Sequence, residues 1–207
     1  QDLFKDSFSK NHLIALGINS SNNLGKIKDK KYFNSLVILN HELEVLYSYN
    51  KIRLVPFGEF LPLENYFSKL GLKKITRGYN SFSSGDDRAI LNLGNKFNNK
   101  FVLPLICYEI IYSGKIKQRQ QTPDLIINIS EDAWFGQSIG PYQHFTKAIY
   151  RAIEEGIFIS RSANKGISAL INPSGEVVKS LNTGESGNIE FNFPQFYRET
   201  LFSNYGN

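Results

Sequence analysis

The stretch Phe101-Val102-Leu103-Pro104-Leu105-Ile106-Cys107-Tyr108-Glu109 decides how this chain is read. Its first six residues form an apolar run that predicts a strand over Lys100–Ile106. A polar triplet follows at once, so the C-terminal end of the strand carries groups capable of chemistry. Cys107 is the only cysteine in the chain. The common fate of a free cysteine is a small buried core position. The alternative is a nucleophile, and an upstream segment supplies the groups it would need. Tyr49-Asn50-Lys51-Ile52-Arg53-Leu54-Val55-Pro56-Phe57-Gly58-Glu59 offers an amine and a carboxylate, which with a thiol suffice for acyl transfer. Pro104 interrupts the strand and suits an edge or a bulge better than a central ladder.

Outward from this segment, short apolar runs alternate with turn residues. Strands are predicted over His12–Ile18, Asn34–Leu39, Glu44–Tyr49, Ala89–Leu93, Leu125–Ile129, Ile157–Arg161, Ser168–Asn172 and Asn188–Phe193, each bounded by Gly, Asn, Asp or Pro. The clearest helix is Pro141–Glu155. Pro141 suits the first turn and Gly156 the stop, while Phe145, Ala148, Ile149, Ala152 and Ile153 share one face. A second helix is expected from Glu109 through Ile110, Ile111 and Ile116. A short third follows Pro62, with Leu63, Tyr66, Phe67 and Leu70 on one side. Strands with interspersed helices and hairpin-like neighbours make the chain mixed α/β.

At 207 residues with 41% hydrophobic and 14% aromatic content, the chain has ample material for one packed domain. The net charge is +5, but Lys and Arg are scattered. The densest run, Lys26-Ile27-Lys28-Asp29-Lys30-Lys31, reads as a solvated turn. It lacks the interleaved aromatics of a nucleic-acid surface, so no nucleic-acid partner is expected. One cysteine excludes an internal disulfide and a multi-thiolate metal site. There is no Met and no apolar run long enough to span a bilayer.

Polar residues gather just past strand ends. Asn128-Ile129-Ser130-Glu131-Asp132-Ala133-Trp134-Phe135-Gly136 holds the only Trp, and Ser160-Arg161-Ser162-Ala163-Asn164-Lys165-Gly166-Ile167 follows another strand. Such places often hold the sites of α/β proteins, although ordinary loop chemistry gives the same composition. A lone Trp such as Trp134 is by its burial tendency a core anchor. Asn172-Pro173-Ser174-Gly175-Glu176 reads as a β-turn.

Together these segments resemble the nitrilase-type domain of the apolipoprotein N-acyltransferases, relatives of the carbon–nitrogen hydrolases. The residues that carry the resemblance are Tyr49-Asn50-Lys51, Leu54-Val55-Pro56-Phe57-Gly58-Glu59 and Ile106-Cys107-Tyr108-Glu109. Asp132-Ala133-Trp134-Phe135-Gly136, Gly140-Pro141-Tyr142-Gln143-His144-Phe145 and Arg161-Ser162-Ala163-Asn164-Lys165-Gly166-Ile167 complete the set. The matches run from about Leu13 to Tyr205. The Lys and Cys segments mark the wider superfamily, and Val55–Glu59, Asp132–Gly136 and Gly140–His144 are more particular to the acyltransferases. The resemblance implies a nitrilase-like α-β-β-α sandwich, here incomplete at the N-terminus. It also implies membrane regions outside the chain at both ends.

For the site, the resemblance implies a Glu–Lys–Cys triad. Lys51 matches the lysine and Cys107 the nucleophile, with Tyr108 supplying an oxyanion N–H and Glu59 and Glu109 in support. The base is a Glu in a Pro-Glu pair. No such pair occurs in these 207 residues, so the base is expected upstream of Gln1 and the piece alone is expected to be inactive. Glu131 departs from the family's usual Asn. The implied reaction moves an acyl chain from a phospholipid, through a thioester on Cys107, to the N-terminal amine of a diacylglyceryl-cysteine apolipoprotein. No metal or organic cofactor is implied. The implied place is the bacterial inner membrane, with this domain on the periplasmic side. Phe57, Phe60 and Leu61, with Trp134, are candidates for substrate contact or for a lid that dips into the membrane, the stretch being equally readable as a core-facing helix. Two alternatives stand beside this one: a soluble nitrilase-type amidase acting on a small amide, and an inactive binding fragment.

Overall fold

The computed structural model describes residues 8–22, 30–63, 66, 81–87, 90–114, 121–192 and 199–206. Contacts divide the chain into two compact units, Gln1–Arg88 and Ala89–Asn207.

The first unit is built on an antiparallel sheet of β1 (Ile14–Ser21), β2 (Tyr32–Leu39) and β3 (Val45–Asn50), in that order. All three were expected, but β1 lies further along the chain than its apolar residues suggest. Asn19, Ser20 and Ser21 stay in the ladder because β2 reaches back to Tyr32 to pair with them. The Ser20 and Ser35 hydroxyls lie 2.6 Å apart across that pair. Ladder register, not hydrophobicity, sets the strand's end. Between β2 and β3 the Asn40 side chain accepts from the Glu42 and Glu44 N–H groups, both at 2.9 Å, which closes the turn. On β3 the buried position is Tyr49, and the same parity carries the chain to buried Lys51. Of the helix expected after Pro62, Phe67 and Leu70 lie outside the described residues. Leu63 and Tyr66 are exposed.

The second unit holds a six-stranded sheet in sequential order. Its strands are β4 (Leu91–Asn92), β5 (Phe101–Ile106), β6 (Leu125–Glu131), β7 (Phe158–Asn164), β8 (Ser168–Ile171) and β9 (Val177–Leu181). The strands β5, β6 and β7 are parallel, and the other neighbours are antiparallel. The crossover from β6 to β7 is helix α1 (Gly140–Glu155), one residue longer than expected at its start. Its Ala148 and Ala152 pack with Leu103, Leu105, Ile126 and Ile159 of the sheet to form the core. Pro104 stands inside this sheet because its neighbour β4 pairs only Val102 and Phe101. The Ile106 N–H, on the same side of β5 as the missing donor of Pro104, goes to the Glu109 carboxylate at 2.9 Å.

Three expectations are corrected in this unit. The helix expected from Glu109 toward Ile116 is a single 3-10 turn over Cys107–Ile111. Tyr112 is extended after it, the Glu109 side chain having folded back onto Ile106, and Ile116 lies outside the described residues. Residues 188–192 form no strand, although Phe191 packs its ring on Phe158 at 5.8 Å, so the alternation there reflects burial without a ladder. Strand β9 was not expected. It returns from the Asn172–Glu176 turn, whose Asn172 N–H bonds the Glu176 carbonyl at 2.9 Å. A short helix α2 (Leu201–Tyr205) follows, capped by Thr200, whose Oγ1 accepts from the Ser203 N–H at 2.9 Å. Among the described residues no helix is long and apolar enough to cross a membrane.

Candidate active site

The three parallel strands all end on polar residues at one edge: Cys107 after β5, Glu131 and Asp132 at the end of β6, and Asn164 at the end of β7. That edge is where open parallel sheets place their sites. Cys107 has φ +51°, in the left-handed region that an L side chain enters at a cost of roughly 1–2 kcal/mol. It is half-buried, not a core residue. It opens the 3-10 turn, so the Tyr108 N–H is a first-turn donor without an intrahelical acceptor. Glu109 is fully buried, and its carboxylate accepts from the Ile106 N–H.

Beneath the turn lies a buried polar network that the sequence motifs contained but to which they assigned no role. His144 of α1 reaches the Cys107 carbonyl with Nε2 at 3.3 Å and Asp132 Oδ1 with Nδ1 at 2.9 Å. Arg161 of β7 donates from Nη2 to Asp132 Oδ2 at 2.7 Å, from Nε to the Ile167 carbonyl at 3.3 Å, and from Nη1 to Asn128 Oδ1. The Ser130 hydroxyl donates to Asp132 Oδ1 at 2.6 Å. A Cβ on Gly166 would lie 2.2 Å from Asp132 Oδ2, so only glycine lets the backbone close over this carboxylate.

Electrostatics follow from this packing. Burial pushes the Asp132 carboxyl up, but the His144 hydrogen bond, the Arg161 charge and the Ser130 hydroxyl outweigh it. The group sits below its ordinary value. Burial draws the Arg161 guanidinium down from its usual value, opposed by the charge and hydrogen bond of Asp132 and by the charge of Cys107. A depressed carboxylate contributes stability that is complete above its unfolded pKa, about 3.9, and lost as pH falls through the lower folded value. Asp132→Asn is therefore expected to flatten the acid limb of the stability profile below about pH 4. It should also cost about 1.5–3 kcal/mol at neutral pH, the worth of a hydrogen bond to a charged group. Chemical denaturation from pH 3 to pH 7 reads both, and an unchanged acid limb would assign it to another carboxylate.

In the first unit, Lys51 is 1% exposed and donates from Nζ to Glu59 Oε2 at 2.8 Å. Glu59 also accepts from Asn34 Nδ2 at 2.7 Å and from the Val55 N–H at 2.8 Å. Among the described residues Glu59 is the one side chain bonded to the Lys51 ammonium. The candidate lid residues diverge. Phe57 is exposed at φ +62°, Phe60 is half-buried, and Leu61 is buried. Trp134 is 59% exposed, so the core-anchor expectation for it is wrong: the 3-10 turn over Asp132–Phe135 buries Asp132 and turns the indole outward. Glu131 bonds within its loop all the same, accepting from the Ala133 N–H at 3.1 Å and from Asn164 Nδ2 at 2.7 Å.

A family model described as carbon–nitrogen hydrolase matches residues 4–194. The chain is 42% identical over 174 residues to the apolipoprotein N-acyltransferase of Bradyrhizobium diazoefficiens, covering 84% of this chain and 32% of that protein. It is 39% identical over 201 residues to the protein of the same name from Rickettsia prowazekii, covering 92% and 39%. The chain thus spans about a third of the length of these curated relatives. Among solved structures it is similar to Saccharomyces cerevisiae Nit3, a member of branch 10 of the nitrilase superfamily. The TM-score there is 0.58 at 16% identity, over 82% of this chain and 55% of that one. The amidase from Nesterenkonia, with the acetamide moiety of fluoroacetamide added covalently at its active site cysteine, gives 0.54 at 18% identity, over 82% and 57%. Identities this low bear on the fold alone, and they agree with the nitrilase-like α/β class that the motifs implied.

Proposed function

The chain belongs to the carbon–nitrogen hydrolase family, and on that premise we propose that it carries the chemistry of an apolipoprotein N-acyltransferase, with Cys107 as the nucleophile. The observation that carries this reading is the conformation of Cys107: half-buried, left-handed, at the open edge of a parallel sheet, with a first-turn N–H beside it. A purely structural cysteine has no need of that strain.

The steps balance as follows. A carboxylate base, by resemblance the Glu of a Pro-Glu pair, takes the Cys107 proton. The thiolate attacks the ester carbonyl of a phospholipid acyl chain, and the tetrahedral oxyanion is met by the Tyr108 N–H, to which the resemblance adds the Lys51 ammonium. The C–O bond breaks, the lysophospholipid oxygen takes the proton back from the base, and the acyl group remains on sulfur. The α-amine of a diacylglyceryl-cysteine apolipoprotein then attacks the thioester. The new C–N bond forms, the C–S bond breaks, and the amine's surplus proton passes through the base to the departing thiolate. Glu59 holds Lys51, and Glu109 holds the end of β5. Tyr108, next to Cys107, and Trp134, Ile139 and Tyr142, between the end of β6 and the first turn of α1, are exposed side chains suited to an acyl chain and a bilayer surface. The reading places the enzyme at the bacterial inner membrane with this domain on the periplasmic side.

The test uses the full-length protein. Incubation with phospholipid vesicles should add one acyl mass to the peptide containing Cys107, and a diacylated lipopeptide should then remove it and gain an amide-linked chain. An acyl group on another residue would overturn the assignment. Turnover of small amides to free acid, with no thioester from phospholipid, would mean an amidase.

A further inference from the structure

We propose that His144 is a positioning residue for this same site: its bond to the Cys107 carbonyl sets the Cys107–Tyr108 peptide so that the Tyr108 N–H faces the oxyanion. The inference rests on the function proposed above.

In a trans peptide the C=O and the N–H point in opposite directions, so whatever holds one end aims the other. No cis bond occurs among the described residues. The Cys107 carbonyl points down to His144 Nε2 at 3.3 Å, which sends the Tyr108 N–H away from the network. A carbonyl only accepts, so Nε2 carries the proton of this bond. A left-handed residue followed by an ordinary one is also a place where a peptide can turn over, as the paired turn types show. The 3-10 turn over Cys107–Ile111 directs the Ile110 N–H to the same carbonyl, and His144 Nε2 is the second donor that holds it.

His144 can act as a fixed donor because its own position is over-determined. Nδ1 lies 2.9 Å from Asp132 Oδ1, and Arg161 Nη2 grips the other carboxylate oxygen at 2.7 Å. Arg161 is held in turn by Ile167 and Asn128, and Asp132 by Ser130 and by the close backbone of Gly166. The ring is also packed edge-on by Phe135 at 5.7 Å and tilted against Tyr108 at 6.2 Å. His144, Asp132 and Arg161 are each at least nine-tenths buried, and they bond to one another and to main-chain carbonyls. Three charged or polar side chains buried together beneath a turn are costly unless they fix something, and what they fix here is the orientation of one peptide.

The experiment compares two reactions of Cys107 in the full-length protein. Thioester formation from phospholipid passes through an oxyanion, whereas alkylation by iodoacetamide displaces iodide at a saturated carbon and forms none. His144→Phe keeps the ring packing and removes the donor. Thioester formation is expected to fall on the order of 100-fold, the usual effect of one lost oxyanion donor, with alkylation close to wild type. His144→Gln, whose amide N–H reaches the same carbonyl, should recover much of the rate. Equal losses in both reactions, or no loss in either, would overturn the proposal. If His144→Phe does not fold, the pair His144→Gln and His144→Met decides it: similar in length, they differ in the donor, and equal thioester rates would overturn it. A wild-type protein that is alkylated yet never forms the thioester would instead overturn the proposed function, and this inference with it.

Discussion

Cys107→Ala and Cys107→Gly are both expected to abolish thioester formation, but only the glycine variant should gain stability. Removing the nucleophile of a triad that acts as a unit costs a factor on the order of 10⁶ in turnover, so neither variant should give acylated protein or triacylated product. Their stabilities separate because the residue at 107 sits at φ +51°. Glycine relieves roughly 1–2 kcal/mol of Cβ strain in the left-handed region. Its extra chain entropy takes back about 0.5–1 kcal/mol, leaving a net gain of up to about 1.5 kcal/mol. Alanine keeps the Cβ and gains nothing. Little packing is lost in either case, because Cys107 is half-buried. Denaturant titrations of the three proteins read the difference directly. A Cys107→Gly variant less stable than Cys107→Ala would mean that the turn does not strain its first residue, and the main structural argument for a nucleophile there would go.

Much of this architecture was legible in the sequence, for reasons visible at particular residues. Phe101–Ile106 is a strand as expected, and its short neighbour β4 is what makes Pro104 tolerable. Helix α1 shows its Pro start, its Gly stop and its apolar stripe in the sequence itself. The losses came where local pattern and pairing disagree. Ile189, Phe191 and Phe193 alternate as a strand would, yet residues 188–192 have no partner ladder. Val177–Leu181 is exposed along most of its length and so lacks the alternation that marks a half-buried strand, although the Asn172–Glu176 turn already implied a return.

The site shows the same division. Cys107 and Lys51 stand out as candidates from the strand end and the segment upstream of it, and the roles proposed for Lys51, Cys107, Glu59 and Glu109 rest on the whole motifs. The Asp132–His144–Arg161 network was missed, but a signal for it existed. In β7 the inward positions are Ile159, Arg161 and Ala163, so an arginine occupies buried parity. In α1, His144 lies four residues before Ala148 and eight before Ala152, on the buried stripe. A charge and an imidazole on two buried stripes of adjoining elements must find polar partners, and of the two acids at the end of β6, Glu131 and Asp132, the buried one is Asp132. What no pattern could supply was the target of His144, a main-chain carbonyl thirty-seven positions away.

Lys51→Met is expected to lower the rate of thioester formation by a factor of 10²–10³, about 3–4 kcal/mol, the worth of a preorganised charge at an oxyanion. Methionine keeps most of the stem volume, so the loss reports the ammonium and not a cavity. Lys51→Arg should not restore the rate, because a planar fork with five donors cannot occupy the place of a compact ammonium buried to 1% exposure. Stability adds a separate reading. Breaking a buried ion pair by removing one partner costs about 3–5 kcal/mol, but Glu59 keeps its bonds from Asn34 Nδ2 and the Val55 N–H, so the lower end is expected. Adding Glu59→Gln removes the stranded charge, and the double variant should regain stability while remaining as slow as Lys51→Met. That outcome would give the two residues different work: Glu59 holds Lys51, and Lys51 meets the oxyanion. A double variant that regains rate as well would show that Lys51→Met had merely deformed the loop around Glu59. Near-normal thioester formation in Lys51→Met itself would leave Lys51 a structural ion-pair partner and require another cation for the oxyanion.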